Sequence, residues 1–283
     1  MPTITDIKKD REFYRNFGSL IEVLKGIAVA HFHALEKRIV RFEEFMRILE
    51  GFFDLLDLAA IAHPFMDPKD APTGIVAVTS DAGLLGGLNH RVMMAAISYL
   101  KNTKNKLMVV GLQGQKIAQG YKIPCKNFTG ITDEKRYIAA MEIRDYIVEE
   151  VLNRRIGPVK VIYPFAISIK IQQVGELSLL PASEWKKEKE QKPASEGGEL
   201  ILETSPGDLV EYLMTIWLGQ KVFDVLQLSR LAEFAARTIH LEESSQRVKD
   251  IDRKLQLRYF RIRHEIIDQQ MRELFTARSL FSG

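Results

Sequence analysis

Hydrophobic residues near the N-terminus recur at alternating steps of three and four positions. The run extends from Phe13 to about Leu58, and this spacing is typical of a helix with one apolar seam. Its clearest members are Phe42, Phe45, Leu49, Phe52 and Leu56. Proline is absent from residues 3–63, so nothing there forces the helix to end. The pattern predicts an N-terminal helix over residues 1–62 whose apolar stripe needs a partner.

A second long helix is predicted over residues 205–283. In its expected first turn Ser205 is the N-cap, Pro206 is the first helical residue and Asp208 completes an S-x-x-D capping pattern. The seam continues at Val248, Ile251, Leu255, Ile262 and Ile266. Because neither long helix buries its stripe alone, we expect the two to wind together as an antiparallel or staggered coiled coil. Ordinary helices of a bundle are the alternative interpretation.

The periodicity changes between the two helices. Short β-branched runs lie at residues 74–79, 106–111 and 159–163, and helical patterns lie at about 87–102 and 133–153. Strands that alternate with helices predict an α/β domain with a mostly parallel sheet, over residues 73–204. Nine of the seventeen residues from 184 to 200 are charged, which predicts a solvated, mobile loop within that domain.

Composition and charge exclude several classes of protein. The chain has 283 residues, 46% of them hydrophobic and 27% charged, which is typical of a globular protein with a sizeable core. Cys125 is the single cysteine, and the N-terminus lacks a secretory signal pattern, so we expect an intracellular protein without disulfides. A net charge of +3 is too small to indicate a nucleic-acid partner.

The strongest candidate for ligand chemistry is the glycine-rich stretch from Thr79 to Asn89. A turn of this kind, between a strand and a helix, is able to hold an anion on backbone amides. However, the stretch matches neither G-x-x-x-x-G-K-[ST] nor G-x-G-x-x-G, which favours a purely structural turn. His31 and His33 are two residues apart and face different sides of a helix. We therefore expect no catalytic site, no cofactor and no metal.

A basic stretch lies on the C-terminal helix. Residues 246–263 contain seven Lys or Arg against two acids, Asp250 and Asp252. One interpretation is a solvated helix face, and the other is a surface that binds acidic loops of a partner protein or phosphates.

Several segments together resemble the γ subunit of the F-type ATP synthase. The segment VAVTSDAGLLGGLN, from Val76 to Asn89, is similar to the family's TSDRGLCGGLN signature, with Ala82 in place of Arg and Leu85 in place of Cys. The C-terminal segment from Ser229 to Leu274 aligns without a gap on the family's last helix, and the resemblance covers nearly the whole chain.

The resemblance implies a fold and a function. The fold is an antiparallel coiled coil of the N- and C-terminal helices with an inserted Rossmann-like α/β domain. The function is that of the central-stalk rotor, which couples ion-driven rotation of the membrane ring to ATP synthesis or hydrolysis. The implied partners are the α and β subunits of the catalytic hexamer, the ε subunit and the c-subunit ring. The implied location is the cytoplasmic face of the membrane, as a peripheral membrane protein (the inner membrane in a Gram-negative cell).

The resemblance also implies site residues. The residues expected to face the hexamer are Arg237, Arg253, Lys254, Arg258, Arg263, His264, Asp268, Gln269 and Gln270. Of these, His264, Asp268 and Gln270 stand where the family usually has Gln, Thr and Glu. The residues expected to form the structural turn are Asp81, Gly83, Gly86 and Gly87.

Three alternative functions remain at the level of sequence. One is the rotor of a variant rotary ATPase that works mainly in hydrolysis. Another is a static coiled-coil adaptor, which would explain the long helices but not the glycine-rich signature. The third is an enzyme built on the α/β insert, which would explain the glycines and would show a ligand-dependent activity in the isolated chain.

Overall fold

The computed structural model describes residues 3–39, 44, 47–49, 51–52, 61, 63–66, 71–101, 104–128, 134–181 and 204–281. The elements are α1 (Ile4–Ile39), β1 (Gly74–Val78), α2 (Leu88–Ser98), a short 3-10 helix (Tyr99–Lys101), β2 (Lys106–Val110), α3 (Leu112–Gly120), β3 (Cys125–Phe128), α4 (Arg136–Leu152), β4 (Val159–Ser168), β5 (Ile171–Leu180) and α5 (Pro206–Phe281). Residues 44, 47–49 and 51–52 are also helical. The chain divides into two compact units, one of residues 1–29 with 238–283 and one of residues 30–237.

The unit of residues 30–237 contains a five-stranded sheet in the order β3-β2-β1-β4-β5. The first four strands are parallel, and β5 pairs antiparallel with β4 through a hairpin. Successive side chains of a strand point to opposite faces of the sheet, and helices pack on both faces. Ile75 and Ala77 of β1 pack with α2 and α3, whereas Val76 and Val78 belong to the core that contains α4 and the first part of α5.

In the unit of residues 1–29 and 238–283, α1 and α5 run antiparallel. Ile21 of α1 packs against Leu241 and Val248 of α5. Ion pairs join the helices on either side of this contact: Arg11 pairs with Asp252 and Lys25 pairs with Glu242. The residue numbers of the paired positions decrease along α5 as they increase along α1. The two helices therefore run antiparallel.

The expected fold class is confirmed, with two long terminal helices, an antiparallel coiled coil and a mostly parallel α/β sheet. The two long helices pair as an antiparallel coiled coil, which the sequence analysis expected in preference to ordinary bundle helices. The predicted start of the last helix is also confirmed: the Asp208 amide donates to Ser205 Oγ at 3.1 Å, and α5 begins at Pro206.

Some boundaries differ from those expected. The helix predicted over residues 87–102 ends at Ser98, where three residues of 3-10 helix replace the last turn. The sequence did not predict α3, β3 or β5, which are short or carry mixed polar and apolar residues. The seam positions Phe42, Phe45 and Leu56 and the expected loop of residues 184–200 lie outside the described residues. The three-part domain division, 1–62, 73–204 and 205–283, stays a prediction.

Candidate functional site

The glycine-rich stretch between β1 and α2 is closed by its own side chains. The Ser80 amide donates to Asn89 Oδ1 at 3.1 Å, and Asn89 Nδ2 donates to Ser80 Oγ at 2.8 Å. Next to them, Thr79 Oγ1 donates to the Val110 carbonyl at 2.6 Å and accepts from the Gly114 amide at 3.0 Å. The stretch therefore links the ends of two neighbouring strands, β1 and β2.

Asp81 occupies the start of helix α3. Its Oδ1 accepts a hydrogen bond from the Leu112 amide at 2.9 Å, and its carbonyl accepts one from Gln113 Nε2 at 3.1 Å. A carboxylate at a helix N-terminus satisfies an amide that has no partner within the helix and is stabilised by the helix dipole. The carboxylate of Asp81 thus takes the position at this helix N-terminus that a bound anion would take, which supports the structural interpretation of the turn.

The three glycines of the predicted turn are not equivalent. Gly86 and Gly87 have positive φ, 56° and 87°, a region that favours residues without a Cβ. Gly83 does not have a positive φ, and a Cβ built on it meets nothing within 4 Å. Gly111, which the sequence did not single out for the turn, has a φ of 95°, and its Cβ would overlap the Thr79 carbonyl. The geometry therefore depends on Gly86, Gly87 and Gly111 more than on Gly83.

The same turn packs against the long helix α5. Leu85 and Leu88 form a buried cluster with Ala232 and Ala236, and Leu88 has no exposed surface. The small alanine side chains let the turn approach the helix closely. The turn is therefore a joint between the sheet and α5.

A buried charge lies beside this joint. Glu233 is 4% exposed; Arg230 Nη1 lies 2.6 Å from its carboxylate and Arg237 Nη2 lies 3.9 Å from it. Burial raises the pKa of Glu233, and the two guanidinium groups oppose that shift without cancelling it. Both guanidinium groups lie over the ring of Phe234, at 4.6 and 5.4 Å, and His31 stacks on that ring at 4.9 Å. Arg237 is thus held by partners within its own unit.

The remaining predicted partner-facing residues lie on the exposed surface of α5. All of them belong to the unit of residues 1–29 and 238–283, and each is exposed. They are Arg253, Lys254, Arg258, Arg263, His264, Asp268, Gln269 and Gln270. Within this set Gln269 Nε2 donates to Glu273 at 3.0 Å, and the Asp268 carbonyl accepts from Arg272 at 3.2 Å. Arg237 differs from the set because its guanidinium is only partly exposed and paired.

Basic residues of α1 extend this surface. Lys8, Arg11 and Arg15, with Tyr259 of α5, line part of a groove of about 430 Å³. The Lys8 ammonium lies 5.8 Å from the centre of the Tyr259 ring. These residues were not predicted from the sequence, because heptad spacing predicts that the two helices pair but not which positions meet. The antiparallel pairing is the signal that places the start of α1 beside the basic stretch of α5.

Among the described residues, no three His, Cys, Asp or Glu side chains come together in a way that suits a metal ion.

Comparison with known proteins identifies the family. The model of the ATP synthase family matches residues 3–279. The ATP synthase gamma chain of Clostridium beijerinckii is 30% identical over 204 residues, which cover 70% of this chain and 69% of that protein. The ATP synthase gamma chain of Trichlorobacter lovleyi is 24% identical over 293 residues and is matched over the full length of both chains.

Solved structures agree with this fold. A chain of the rotor of the Euglena gracilis mitochondrial ATP synthase superposes with a TM-score of 0.68 at 16% identity, over 93% of this chain and 98% of that one. A chain of the OSCP/F1/c-ring assembly of the same enzyme gives a TM-score of 0.70 at 15% identity, over 98% and 94%. The family match over almost the whole sequence, together with a coiled coil joined to an α/β sheet, shows that the chain belongs to the ATP synthase gamma chain family, the family of the central-stalk rotor subunit.

Proposed function

We propose that this chain transmits rotation mechanically and has no catalytic site of its own. The observation that carries the proposal is the antiparallel pairing of α1 with α5. Ion pairs and a buried apolar seam stabilise this pairing between residues that are more than 200 positions apart in the sequence. Two helices joined in this way resist relative sliding, which a shaft under torque requires. The glycine-rich turn, the best candidate for ligand chemistry, is filled by the side chains of Asp81 and Asn89.

The proposed partners follow from the family and from the assemblies in which similar chains were solved. They are the α and β subunits of the catalytic hexamer, the ε subunit and the c-subunit ring. Two chains of similar fold were solved in the rotor and in the OSCP/F1/c-ring assembly of the Euglena gracilis mitochondrial ATP synthase. Binding to a membrane ring would place this chain at the cytoplasmic face of the membrane as a peripheral protein.

The proposed contact with the hexamer is the exposed basic surface of α5 near Arg253, Lys254 and Arg258. Exposed ion pairs contribute only about 0 to 1 kcal/mol each. Contacts of this strength are broken and remade easily, so acidic loops of a stationary ring are able to follow the shaft without trapping it at one angle. Differential contacts at successive angles would then shift the conformations of the distant nucleotide sites.

Charge reversal tests this contact. We expect Arg253→Glu, Lys254→Glu and Arg258→Glu together to leave the complex with the α/β hexamer intact on gel filtration while changing its ATP hydrolysis rate and the salt dependence of that rate. The matched control is Lys116→Glu, Lys122→Glu and Lys170→Glu, which reverses three exposed charges in the α/β domain. Equal salt profiles for the two triple variants would contradict the proposed contact.

The absence of catalysis in this chain is tested separately. We expect purified chain to show no saturable binding of labelled ATP at micromolar concentration and no turnover, because the glycine-rich turn has no phosphate-binding lysine and its carboxylate, Asp81, binds the Leu112 amide at the start of α3. Saturable binding with turnover by the pure chain would overturn the non-catalytic role.

A further inference from the structure

Helices α3 and α4 end in the same way, on opposite faces of the sheet. Beyond the last turn of α3 the Ile123 amide donates to the Ala118 carbonyl at 3.0 Å, and beyond that of α4 the Arg155 amide donates to the Glu150 carbonyl at 2.8 Å. This bond is typical of the Schellman motif, in which the residue before the donor has a left-handed backbone. Glycine is the usual residue there, because it has no Cβ.

In both helices that position holds a basic residue in place of glycine. Lys122 has a φ of 56° and Arg154 has a φ of 54°, a conformation that is unfavourable for residues with a Cβ. Among the residues that the structure describes, Leu84 is the one other non-glycine residue with a positive φ. Strained backbone of this kind is found preferentially at functional sites. The chain thus has two cations at positions where glycine would be less strained.

The two cations lie at the same edge of the sheet. Helix α3 is followed directly by β3 and helix α4 by β4, and both strands run parallel to β1 and β2. Since a helix that connects parallel strands runs back along the sheet, both helices end at the edge where the strands begin. Lys122 and Arg154 are exposed there, and within the described part of the chain neither takes part in an ion pair.

The surrounding charges make this edge positive. The cations of the segments that lead into β2, β3 and β4, which we call the basic rim, are Lys104, Lys106, Lys122, Arg154 and Arg155. The acids beside them are Glu149 and Glu150, of which Glu150 is buried and binds Lys106 at 2.7 Å and Arg155 at 2.8 Å. Five cations against two acids leave an excess of three positive charges at one edge, as large as the net charge of the whole chain, +3.

The basic rim also has an aromatic residue. Tyr121, directly before Lys122, is 54% exposed. Tyrosine is enriched at the interface between a bilayer and water, because its ring is apolar and its hydroxyl is polar, and arginine pairs well with phosphate oxygens. The cations come from several short segments along an edge, so they form a broad surface instead of an enclosed pocket. Such a surface suits a layer of phosphate groups better than a single small anion.

A structural role is the main competing explanation. A cation at the C-terminus of a helix is stabilised by the helix dipole, and Lys122 and Arg154 each follow such a terminus. The dipole, however, favours a cation anywhere in the last turn, where no left-handed backbone is required. It therefore does not account for cations at the two strained positions.

We propose that the basic rim docks on the anionic surface of a membrane, with Lys122 and Arg154 at lipid phosphates and Tyr121 at the interface. This contact goes beyond the proposed rotor function and does not depend on it, because the hexamer is expected to contact α5 instead. Electrostatic contacts with anionic lipids are individually weak and are screened by salt. A chain that turns at the membrane is able to exchange one lipid for the next without being held at one angle.

The test uses purified chain with a solvent-sensitive dye beside the rim. In a Cys125→Ser background, the dye is attached to Gln119→Cys, in the last turn of α3, or to Gln270→Cys, in α5, both of which are exposed positions. Vesicles of phosphatidylcholine alone or of phosphatidylcholine with phosphatidylglycerol are added. We expect a blue shift at position 119 with the anionic vesicles only, and a smaller shift as salt rises. Position 270 reports separately any binding through the basic stretch of α5.

Glycine variants separate docking from folding. Lys122→Gly with Arg154→Gly removes two charges and relieves the left-handed strain, so we expect an unchanged or higher Tm. The affinity for anionic vesicles, measured at position 119, should fall roughly 30-fold, the loss expected for two cations near such a surface. Leu84→Gly is the matched control: it relieves the same strain at the opposite edge of the sheet without removing a charge, and it should keep the affinity.

A second pair of variants keeps a side chain at both positions. Lys122→Asn with Arg154→Asn retains a residue that tolerates the left-handed backbone, and it should lose affinity as the glycine pair does. Unchanged affinity in either pair, whatever its Tm, would overturn the inference in favour of the helix-dipole explanation.

The vesicle measurements have further outcomes that decide the inference. Equal shifts at position 119 with neutral and anionic vesicles would overturn it, because charge would then not be the cause. A shift with c-subunit ring reconstituted in phosphatidylcholine, but not with anionic vesicles, would overturn it in favour of a protein contact. The rotor function is tested separately by complex formation with the hexamer on gel filtration, so that its failure is distinguishable from failure of lipid docking.

Discussion

Arg11 and Asp252 join the two long helices through a pair of hydrogen bonds. Arg11 Nε donates to Oδ1 at 2.9 Å and Nη2 donates to Oδ2 at 3.4 Å. The side chains are only 17% and 23% exposed, and the hydrogen bond from Arg11 holds the pKa of the Asp252 carboxyl below its usual value. Because a planar guanidinium and a carboxylate pair in one geometry, this contact fixes the register of α1 against α5.

Truncating this pair should reveal coupling between the helices. In a double-mutant cycle of Arg11→Ala and Asp252→Ala, we expect a coupling energy of about 1 kcal/mol, measured from the free energy of unfolding in urea. Arg253→Ala is the control, since Arg253 is exposed and next in sequence to Asp252, and it should change stability by less than about 0.5 kcal/mol. Additive single variants would contradict the role of the pair.

Acid should loosen the same coiled coil through Glu22. Its carboxylate accepts hydrogen bonds from Lys25 and from Ser245 Oγ, the latter at 2.6 Å. These bonds lower the pKa of Glu22 from 4.5 to about 2. A carboxyl with a lowered folded-state pKa stabilises the fold above its unfolded pKa, and this contribution is lost as pH falls through the folded pKa. We therefore expect Tm to fall between pH 4.5 and about 2.

The variant that isolates this effect is Glu22→Gln, which keeps the shape of the side chain and removes its titration. We expect its Tm to depend less on pH within that window than that of the parent chain. Glu12→Gln, an exposed substitution on the same helix, is the control and should keep the parent's pH dependence. Identical pH profiles for the parent and Glu22→Gln would show that Glu22 does not stabilise the pairing.

The fold was largely predictable because the heptad spacing and the Ser205 cap are local signals. What the spacing does not contain is the pairing of positions: Arg11 and Asp252 are 241 residues apart, and no local pattern relates them. The same limit applies to α1, which has two apolar stripes. Periodicity alone does not distinguish the stripe that α5 covers, which contains Ile21, from the exposed apolar residues Phe17 and Leu20.

The glycine-rich turn was also only partly predictable from the sequence. Its glycine-rich character was evident from the sequence, and so was its lack of a phosphate-binding motif. The placement of Asp81 at the start of α3 depends on Leu112, 31 residues away, and on the parallel pairing of β1 with β2. The importance of Gly111 likewise becomes visible only when the Thr79 carbonyl lies against it.

The glycines therefore predict contrasting effects of alanine. Gly111→Ala would need a strained positive φ and would place a Cβ against the Thr79 carbonyl, so we expect a loss of about 3 kcal/mol or more in the free energy of unfolding. Gly83→Ala, which meets nothing within 4 Å and has no positive φ, should cost less than about 0.5 kcal/mol. Equal losses measured in urea would contradict this ranking.

Leu88 provides the test of the joint between the turn and α5. It is fully buried and packs with Ala232 and Ala236, whereas Leu84 in the same turn is 52% exposed. Leu88→Ala removes three buried carbon atoms and leaves a cavity, because the start of α2 and the backbone of α5 are both fixed, so we expect a loss of about 2 to 5 kcal/mol. Leu84→Ala, the matched control, should cost less than about 0.5 kcal/mol. The measurements are urea unfolding and amide hydrogen exchange near Ala232 and Ala236, where Leu88→Ala alone should speed exchange. If both variants gave the same stability and the same exchange rates, the turn would not be fastened to α5 through Leu88.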